Sequence, residues 1–272
     1  MKMLFDPARA RFAIAGALLL SSSAWALNPG GGDTTDTFAD YAVAGPHAVM
    51  SEASGSTCTV FRPATLTDDH PVILWGNGTS TQVSAYSEGL EHWASWGYVV
   101  VAANTSNAGT GEQMLDCLDG ISGSAIADSL DLTQVGTTGH SQGGGGSLMA
   151  GRDERITATA PIQPYVVGLG HDSTSQGEQT GPMLLLSGSS DFVASPSRNQ
   201  APVYQAANVP VFWANSQGTS HFAPIGDLGV YRGITTAWWD YQLKGDQAAA
   251  DLFAGPCLGC DAEGWDVQRK GF

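Results

Sequence analysis

Gly139-His140-Ser141-Gln142-Gly143-Gly144-Gly145-Gly146-Ser147-Leu148 is the stretch whose reading decides the fold. The apolar residues Leu148, Met149 and Ala150 look like the body of a helix, yet four successive glycines stand in its first turns. Each interior glycine costs a helix about 1 kcal/mol relative to alanine. Close backbone approach must therefore matter more here than helix propensity. Three glycine-rich devices compete. A phosphate-binding loop fits Gly139 and Gly144 but puts Gly145 where its lysine belongs, and a dinucleotide fingerprint begun at Gly143 or Gly144 ends on Leu148 or Met149. The third device, GxSxG, is matched by residues 139–143. It is a nucleophile elbow, a strained strand-to-helix turn that pushes a serine hydroxyl outward, with glycines two positions either side letting strand and helix pass closely.

Outward from the elbow, strands and helices alternate. Strand-like segments are 58–62 (CTVFR), 71–75 (PVILW), 98–103 (YVVVAA), 135–138, 156–160, 183–186 (MLLL) and 209–215. Helical spacing marks 85–96, with Leu90, Trp93 and Ala94 on one face, then 112–118, 201–207, and 231–243 with its paired Trp238 and Trp239. Residues 27–57 read as an N-terminal arm with one edge strand, and 168–181 as a surface loop. Near-continuous apolar strands alternating with helices predict one α/β domain, a mostly parallel central sheet with helices on both faces. In such sheets function sits at the carboxyl ends of the strands.

A serine nucleophile needs a base, and the base needs an orienting carboxylate. On this architecture their chain order is Ser, acid, His. Only His171 and His221 follow Ser141. The acids before His171, Asp153 and Glu154, end the helix after the elbow with no strand to carry them to the site, so His171 is expected to be solvated. His221 follows the strand 209–215, and Asp191 follows the strand 183–186 through Ser187-Gly188-Ser189-Ser190. Ser141, Asp191 and His221 are the expected catalytic residues, with His47, His70 and His92 outside the order. An oxyanion requires two backbone N–H donors. Gln142, directly after the nucleophile, is one expected source. Thr79, in the Gly76-Asn77-Gly78-Thr79-Ser80 loop after PVILW, is the other; otherwise Asn77-Gly78 is simply a tight turn.

The chain has 272 residues and begins with Lys2, Arg9 and Arg11, an apolar run FAIAGALLL at 12–20, and Ala24-Trp25-Ala26. That is the layout of a secretory signal peptide over 1–26, and the run is well short of the roughly 20 residues of a membrane-spanning helix. Residues 27–272 then form a single catalytic domain with 8 basic and 25 acidic residues, a formal charge of −17. Such a surface repels phosphate backbones and anionic lipids, so neither nucleic acid nor membrane is an expected partner. Cys58, Cys117, Cys257 and Cys260 allow three disulfide pairings, of which Cys58–Cys117 with Cys257–Cys260 is favoured; a zinc site at Cys257-Leu-Gly-Cys260 would lack its second half.

With these residues in view, the chain resembles the bacterial cutinase-like polyester hydrolases, including those acting on poly(ethylene terephthalate). The likeness runs from about Cys58 to Leu243 and rests on GHSQGGGGSL at 139–148, APIQPY at 160–165, SDFVA at 190–194 and SHFAP at 220–224. It implies an α/β-hydrolase fold, and it puts Ser141, Asp191 and His221 on the triad and Thr79 and Gln142 on the oxyanion pair; separately, the span between Ser141 and Asp191 is too short for a lid domain, so an open cleft is expected. The resemblance further implies Tyr165 and Phe222 as substrate-binding residues. Many of these hydrolases have methionine after the nucleophile, an aromatic residue at the Thr79 position and tryptophan at the Tyr165 position, so this cleft is expected to be less aromatic. The expectation is a secreted, monomeric serine esterase working by acyl transfer on esters, polymeric ones included, with no metal or organic cofactor. The alternatives are a small-ester carboxylesterase such as a polysaccharide deacetylase, and a non-catalytic binding module on the same scaffold.

Overall fold

A computed structural model describes residues 36–67 and 69–272. The expected leader over 1–26 and the start of the N-terminal arm lie outside the described residues. Among the described residues nine strands form one sheet: β1 (Val49–Ser54), β2 (Cys58–Pro63), β3 (His70–Gly76), β4 (Val99–Ala103), β5 (Leu130–His140), β6 (Ala158–Ile162), β7 (Met183–Gly188), β8 (Val211–Ser216) and β9 (Trp265–Lys270). Their spatial order is β1-β2-β4-β3-β5-β6-β7-β8-β9. The six from β4 to β8 run parallel, while β1, β2 and β9 are antiparallel to their neighbours. This is the α/β-hydrolase arrangement expected from the sequence.

Side chains alternate between the faces of a strand, and here both faces are apolar. Val72, Leu74, Val99 and Val101 meet Met114, Leu118 and Ile121, whereas Ile73, Trp75, Val100 and Ala102 share a core with Leu90, Trp93, Trp238 and Trp239. The first face is covered by α3 (Glu112–Ser122), with α4 (Gln142–Ala150) and α5 (Gln200–Ala206) further along; the second by α2 (Ser87–Ser95) and α6 (Tyr231–Lys244). Burying large side chains on both faces stabilises at about 25 cal/mol per Å² of apolar surface.

Boundaries differ from the sequence reading where local chemistry intervenes. Pro210 has no N–H, so the strand expected from 209 begins at Val211. Ile156 lies before β6 rather than in it, and packs on the α3 side. The helix expected from 85 opens as a short 3₁₀ turn, Val83–Ala85, and becomes α-helical at Ser87. The polar loop at 168–181 holds a 3₁₀ turn, Ser173–Gly177, capped by Asp172 Oδ1 accepting from the Thr174 amide at 3.0 Å. A short α1 (Ala39–Ala42) on the α6 side, α7 (Gln247–Phe253) and β9 are additional elements. Disulfides join Cys58 to Cys117, tying β2 to α3, and Cys257 to Cys260.

Candidate active site

Ser141 is the single residue between β5 and α4, with φ 56° and ψ −118°. That left-handed conformation is costly for a residue with a Cβ. Three hydrogen bonds hold it. Its amide donates to the Ile162 carbonyl at 3.1 Å, and its carbonyl accepts from Gly145 at 3.0 Å and Tyr165 at 2.8 Å. The glycines answer to close packing. A Cβ on Gly139 would lie 2.5 Å from the carbonyl oxygens of Gly76 and Gly143, and one on Gly145 would lie 2.5 Å from that of Tyr165. On Gly143 or Gly146 a Cβ would overlap the carbonyl of Gly76 or Ala108 outright. α4 is thus wedged among backbone segments, with no room for side chains along its first turn.

Asp191 and His221 stand on the loops after β7 and β8. Backbone bonds stitch these loops together, Ser189 N–H to Ser216 at 2.9 Å and Ser190 N–H to Thr219 at 3.1 Å. Asp191 Oδ1 accepts the amides of Val193 at 2.9 Å and Ala194 at 2.8 Å, which folds the turn and fixes the carboxylate. Its Oδ2 lies 2.7 Å from His221 Nδ1, and His221 Nε2 lies 2.9 Å from Ser141 Oγ. A carboxylate can only accept, so Nδ1 carries the proton and Nε2 is left to accept from the serine hydroxyl. All three residues are buried.

Thr79 follows β3. Asn77, fully buried, braces this loop: its Nδ2 donates to the carbonyls of Ala103 at 2.9 Å and Thr105 at 2.8 Å, and its Oδ1 accepts from Trp75 Nε1 at 2.9 Å. Asn77-Gly78 is therefore more than a turn former. Among the described residues, neither the Thr79 nor the Gln142 amide has an acceptor. The Gln142 side chain points elsewhere, its Nε2 donating to Asn107 Oδ1 and, at 3.2 Å, to the Leu169 carbonyl.

An open cavity of about 310 Å³ is lined by Thr79, Ser141, Tyr165, Leu169, Val193 and His221, with Phe222 and Ile225 on its rim. Thr79, Ser141, His221, Tyr165 and Phe222 thus share one cleft, and the Phe222 ring stands edge-on to the His221 ring, 5.7 Å between centroids. Phe192, next to Asp191, is 80% exposed and Phe222 is 57% exposed. Among the described residues, no Asp, Glu, Lys or Arg side chain lines the cavity. His140 also lines the cavity, and burial together with the nearby His221 pushes its pKa down to about 3, so it is neutral.

Three further residues reach the site without having been singled out in the sequence. His140 Nδ1 lies 2.8 Å from Tyr86 Oη, His140 Nε2 lies 2.8 Å from the His221 carbonyl, and Gln163 Nε2 donates to the Ser220 carbonyl at 3.0 Å. A histidine directly before the nucleophile was the one available signal; the partners are distant in sequence. His171 is not solvated: its Nδ1 donates to the Gly145 carbonyl at 3.1 Å, its Nε2 accepts from Gln176 at 3.1 Å, and burial lowers its pKa. Among the described residues no group of three or more His, Cys, Asp or Glu side chains is placed to hold a metal ion.

Known proteins resemble this chain over most of its length. A family model described as PET hydrolase-like matches residues 26–253. A cutinase of Thermobifida fusca is 27% identical over 251 residues, covering 85% of this chain and 81% of that protein. Cutinase est2 of Thermobifida alba is 29% identical over 158 residues, 54% of this chain and 50% of its own, so the chain spans about half the length of that relative. A bis(hydroxyethyl) terephthalate hydrolase of Streptomyces coelicolor is 25% identical over 201 residues, covering 67% of this chain and 63% of that protein.

Proposed function

The chain belongs to the PET hydrolase-like family, and from that premise we propose that it is a serine esterase cleaving carboxylic esters, polyester chains among them. The observation that carries this reading is the hydrogen-bonded series Asp191–His221–Ser141 opening into a cleft with no Asp, Glu, Lys or Arg side chain among its described lining residues. His221 Nε2 takes the Ser141 proton as Oγ attacks the ester carbonyl. Asp191 holds the imidazole and stabilises its charged form. The amides of Thr79 and Gln142 donate to the developing oxyanion. His221 returns the proton to the departing alcohol, leaving an acyl-enzyme on Ser141, and water then repeats the sequence. Export forms part of the same reading, supported by the leader layout in 1–26 and by two disulfides, which persist in oxidising compartments.

A polymeric substrate is favoured by the mouth of the cleft. Leu169, Val193, Phe222 and Ile225 line it and are exposed, and Phe192, next to Val193 in the chain, is exposed as well. Contiguous exposed apolar residues mark a binding surface, and the Leu169, Val193, Phe222 and Ile225 side chains of the lining suit an apolar acyl chain. Wild type and Ser141→Ala should be compared on a soluble nitrophenyl ester and on a polyester film. The wild type should release product from both, and the variant should lose turnover by about 10⁴-fold or more while keeping its circular dichroism. A film left untouched while the soluble ester is cleaved would point to a small-ester carboxylesterase. Inactivity of the wild type on both would sink the esterase reading.

A further inference from the structure

The loop that carries His221 is tied to the Asp191 loop by two bonds, Ser190 N–H to the Thr219 carbonyl at 3.1 Å and Gly218 N–H to Ser189 Oγ at 2.8 Å, and is braced internally by the Ser216–Thr219 hydroxyl pair at 2.6 Å. None of these reaches Ser141. Among the described residues, apart from the Ser141–His221 bond itself, two hydrogen bonds join the His221 loop to the strand ends that hold the serine. One runs from His140, the last residue of β5, to the His221 carbonyl at 2.8 Å. The other runs from Gln163, directly after β6, to the Ser220 carbonyl at 3.0 Å. Those carbonyls belong to the two peptide groups flanking the His221 Cα. Fixing both peptide planes fixes the φ and ψ of His221, and hence the direction in which its side chain leaves the backbone. Asp191 then sets the ring.

Both clamping side chains are built for donation. A backbone carbonyl can only accept, so His140 carries its proton on Nε2, and Nδ1 must accept from the Tyr86 hydroxyl at 2.8 Å. Tyr86 thereby selects the tautomer that can grip His221. Thr81 Oγ1 donates to the Gly78 carbonyl at 2.7 Å, and the Tyr86 hydroxyl lies nearer to His140 Nδ1, at 2.8 Å, than to Thr81 Oγ1, at 3.3 Å, so the single Tyr86 proton goes to His140. Gln163 is fully buried, sits at φ 44°, and leaves its Oε1 without a partner among the described residues. Strain and a lone buried acceptor at one residue are what a fold tolerates where a position has a task. A Cβ on Gly188 would overlap the Thr219 carbonyl oxygen and lie 2.7 Å from Gln163 Nε2, so the end of β7 is bare where both the His221 loop and this amide pass it.

We propose that Gln163 and His140 are positioning residues that hold His221 over Ser141 by gripping the two peptide groups on either side of it, with Tyr86 fixing the His140 tautomer. The proposal rests on the esterase reading above, because it gives His221 the role of base. Its test uses Gln163→Met and His140→Met, which keep bulk and remove the donor, and His140→Gln, which keeps an N–H at the far end of the side chain. Two rates are measured: phosphonylation of Ser141 by a fluorophosphonate, and kcat and KM on a soluble nitrophenyl ester. Each methionine variant should lose about tenfold or more in kcat and in phosphonylation, and Gln163→Met, whose side chain does not line the cavity, should keep KM within about twofold, because aim is lost and substrate binding is not. The double variant should fall short of the product of the single effects, since both donors hold one residue. His140→Gln should recover most of the His140→Met loss.

Unchanged phosphonylation in folded Gln163→Met and His140→Met would overturn the clamp and leave the esterase intact. So would rates that fall only with the folded fraction seen by circular dichroism, including complete unfolding of both, and so would a His140→Gln no better than His140→Met. If His140→Met alone fails to fold, Gln163→Met decides. A wild-type protein that is not phosphonylated at all would overturn the esterase reading, and the clamp with it.

Discussion

Helices α4 and α6 lie on opposite faces of the same strands and solve the same packing problem in opposite ways. α4 buries every residue except Met149, yet its first turns carry almost no side chain; carbonyls of Gly76, Tyr165 and Ala108 press directly on its backbone. α6 buries Tyr231, Trp238 and Trp239, and Trp239 reaches in so far that a Cβ on Gly136 would lie 2.5 Å from its ring. One helix is located by contact between main chains, which hardly yields. The other is located by side-chain volume, which neighbouring rotamers can partly make up. The helix beside Ser141 is the unyielding one. Position there is set to within a fraction of an ångström, whereas α6 has only to fill space.

Substitutions that separate position from volume will test this contrast. The largest effect is expected from Gly143→Ala, whose new methyl would collide with the Gly76 carbonyl at the root of the Thr79 loop. Either no folded protein is recovered, or phosphonylation of Ser141 falls by about 10³-fold. Near-wild-type reactivity in that variant would mean that α4 is as forgiving as α6. Trp239→Ala should cost about 3–5 kcal/mol in urea denaturation while leaving the kcat/KM of the folded protein within about threefold. A far larger loss of kcat/KM would show that α6 sets position as well as volume.

The smallest effect concerns buried histidines on the two sides. His92 bonds Thr236 Oγ1 of α6 at 3.0 Å, and burial lowers its pKa to about 4, as burial lowers that of His140 to about 3. Both are neutral when folded, whereas the unfolded chain takes up protons near 6.5. Stability they confer is therefore complete above about pH 6.5 and is lost as the pH falls from there toward 4. The melting temperature should drop across that interval. His92→Gln, which keeps an N–H for Thr236 and removes the titration, should flatten the drop without changing activity at neutral pH. An unaltered slope would assign the acid sensitivity to other groups.

Much of the site was legible because its chemistry is written locally. The elbow glycines and Ser141 are contiguous, and Asp191 and His221 each follow a strand clear enough to place them at a carboxyl edge. What escaped the sequence depends on partners far away along the chain. His140, Tyr86 and Gln163 acquire meaning only when β5, the start of α2 and the His221 loop meet. Trp265-Asp-Val-Gln-Arg-Lys270 is short and polar, and it becomes a strand because β8 offers an unpaired edge. The last turn of α3 runs past Leu118 to Ser122, where Ile121 finds a pocket against the sheet. Gln142 was legible for its amide but not for its side chain, which is drawn to the Asn107 side-chain oxygen and the Leu169 carbonyl, partners that no local pattern announces.

The two edges of the sheet have a consequence of their own. β1 is almost wholly exposed and carries Glu52; β9 alternates with solvent and carries Asp266, Arg269 and Lys270. Each runs antiparallel to its neighbour and closes off the hydrophobic parallel strands behind it. Charged edge strands resist the addition of further strands, the route by which sheets aggregate into fibrils. Copies of the chain brought close together are thereby kept from fusing edge to edge.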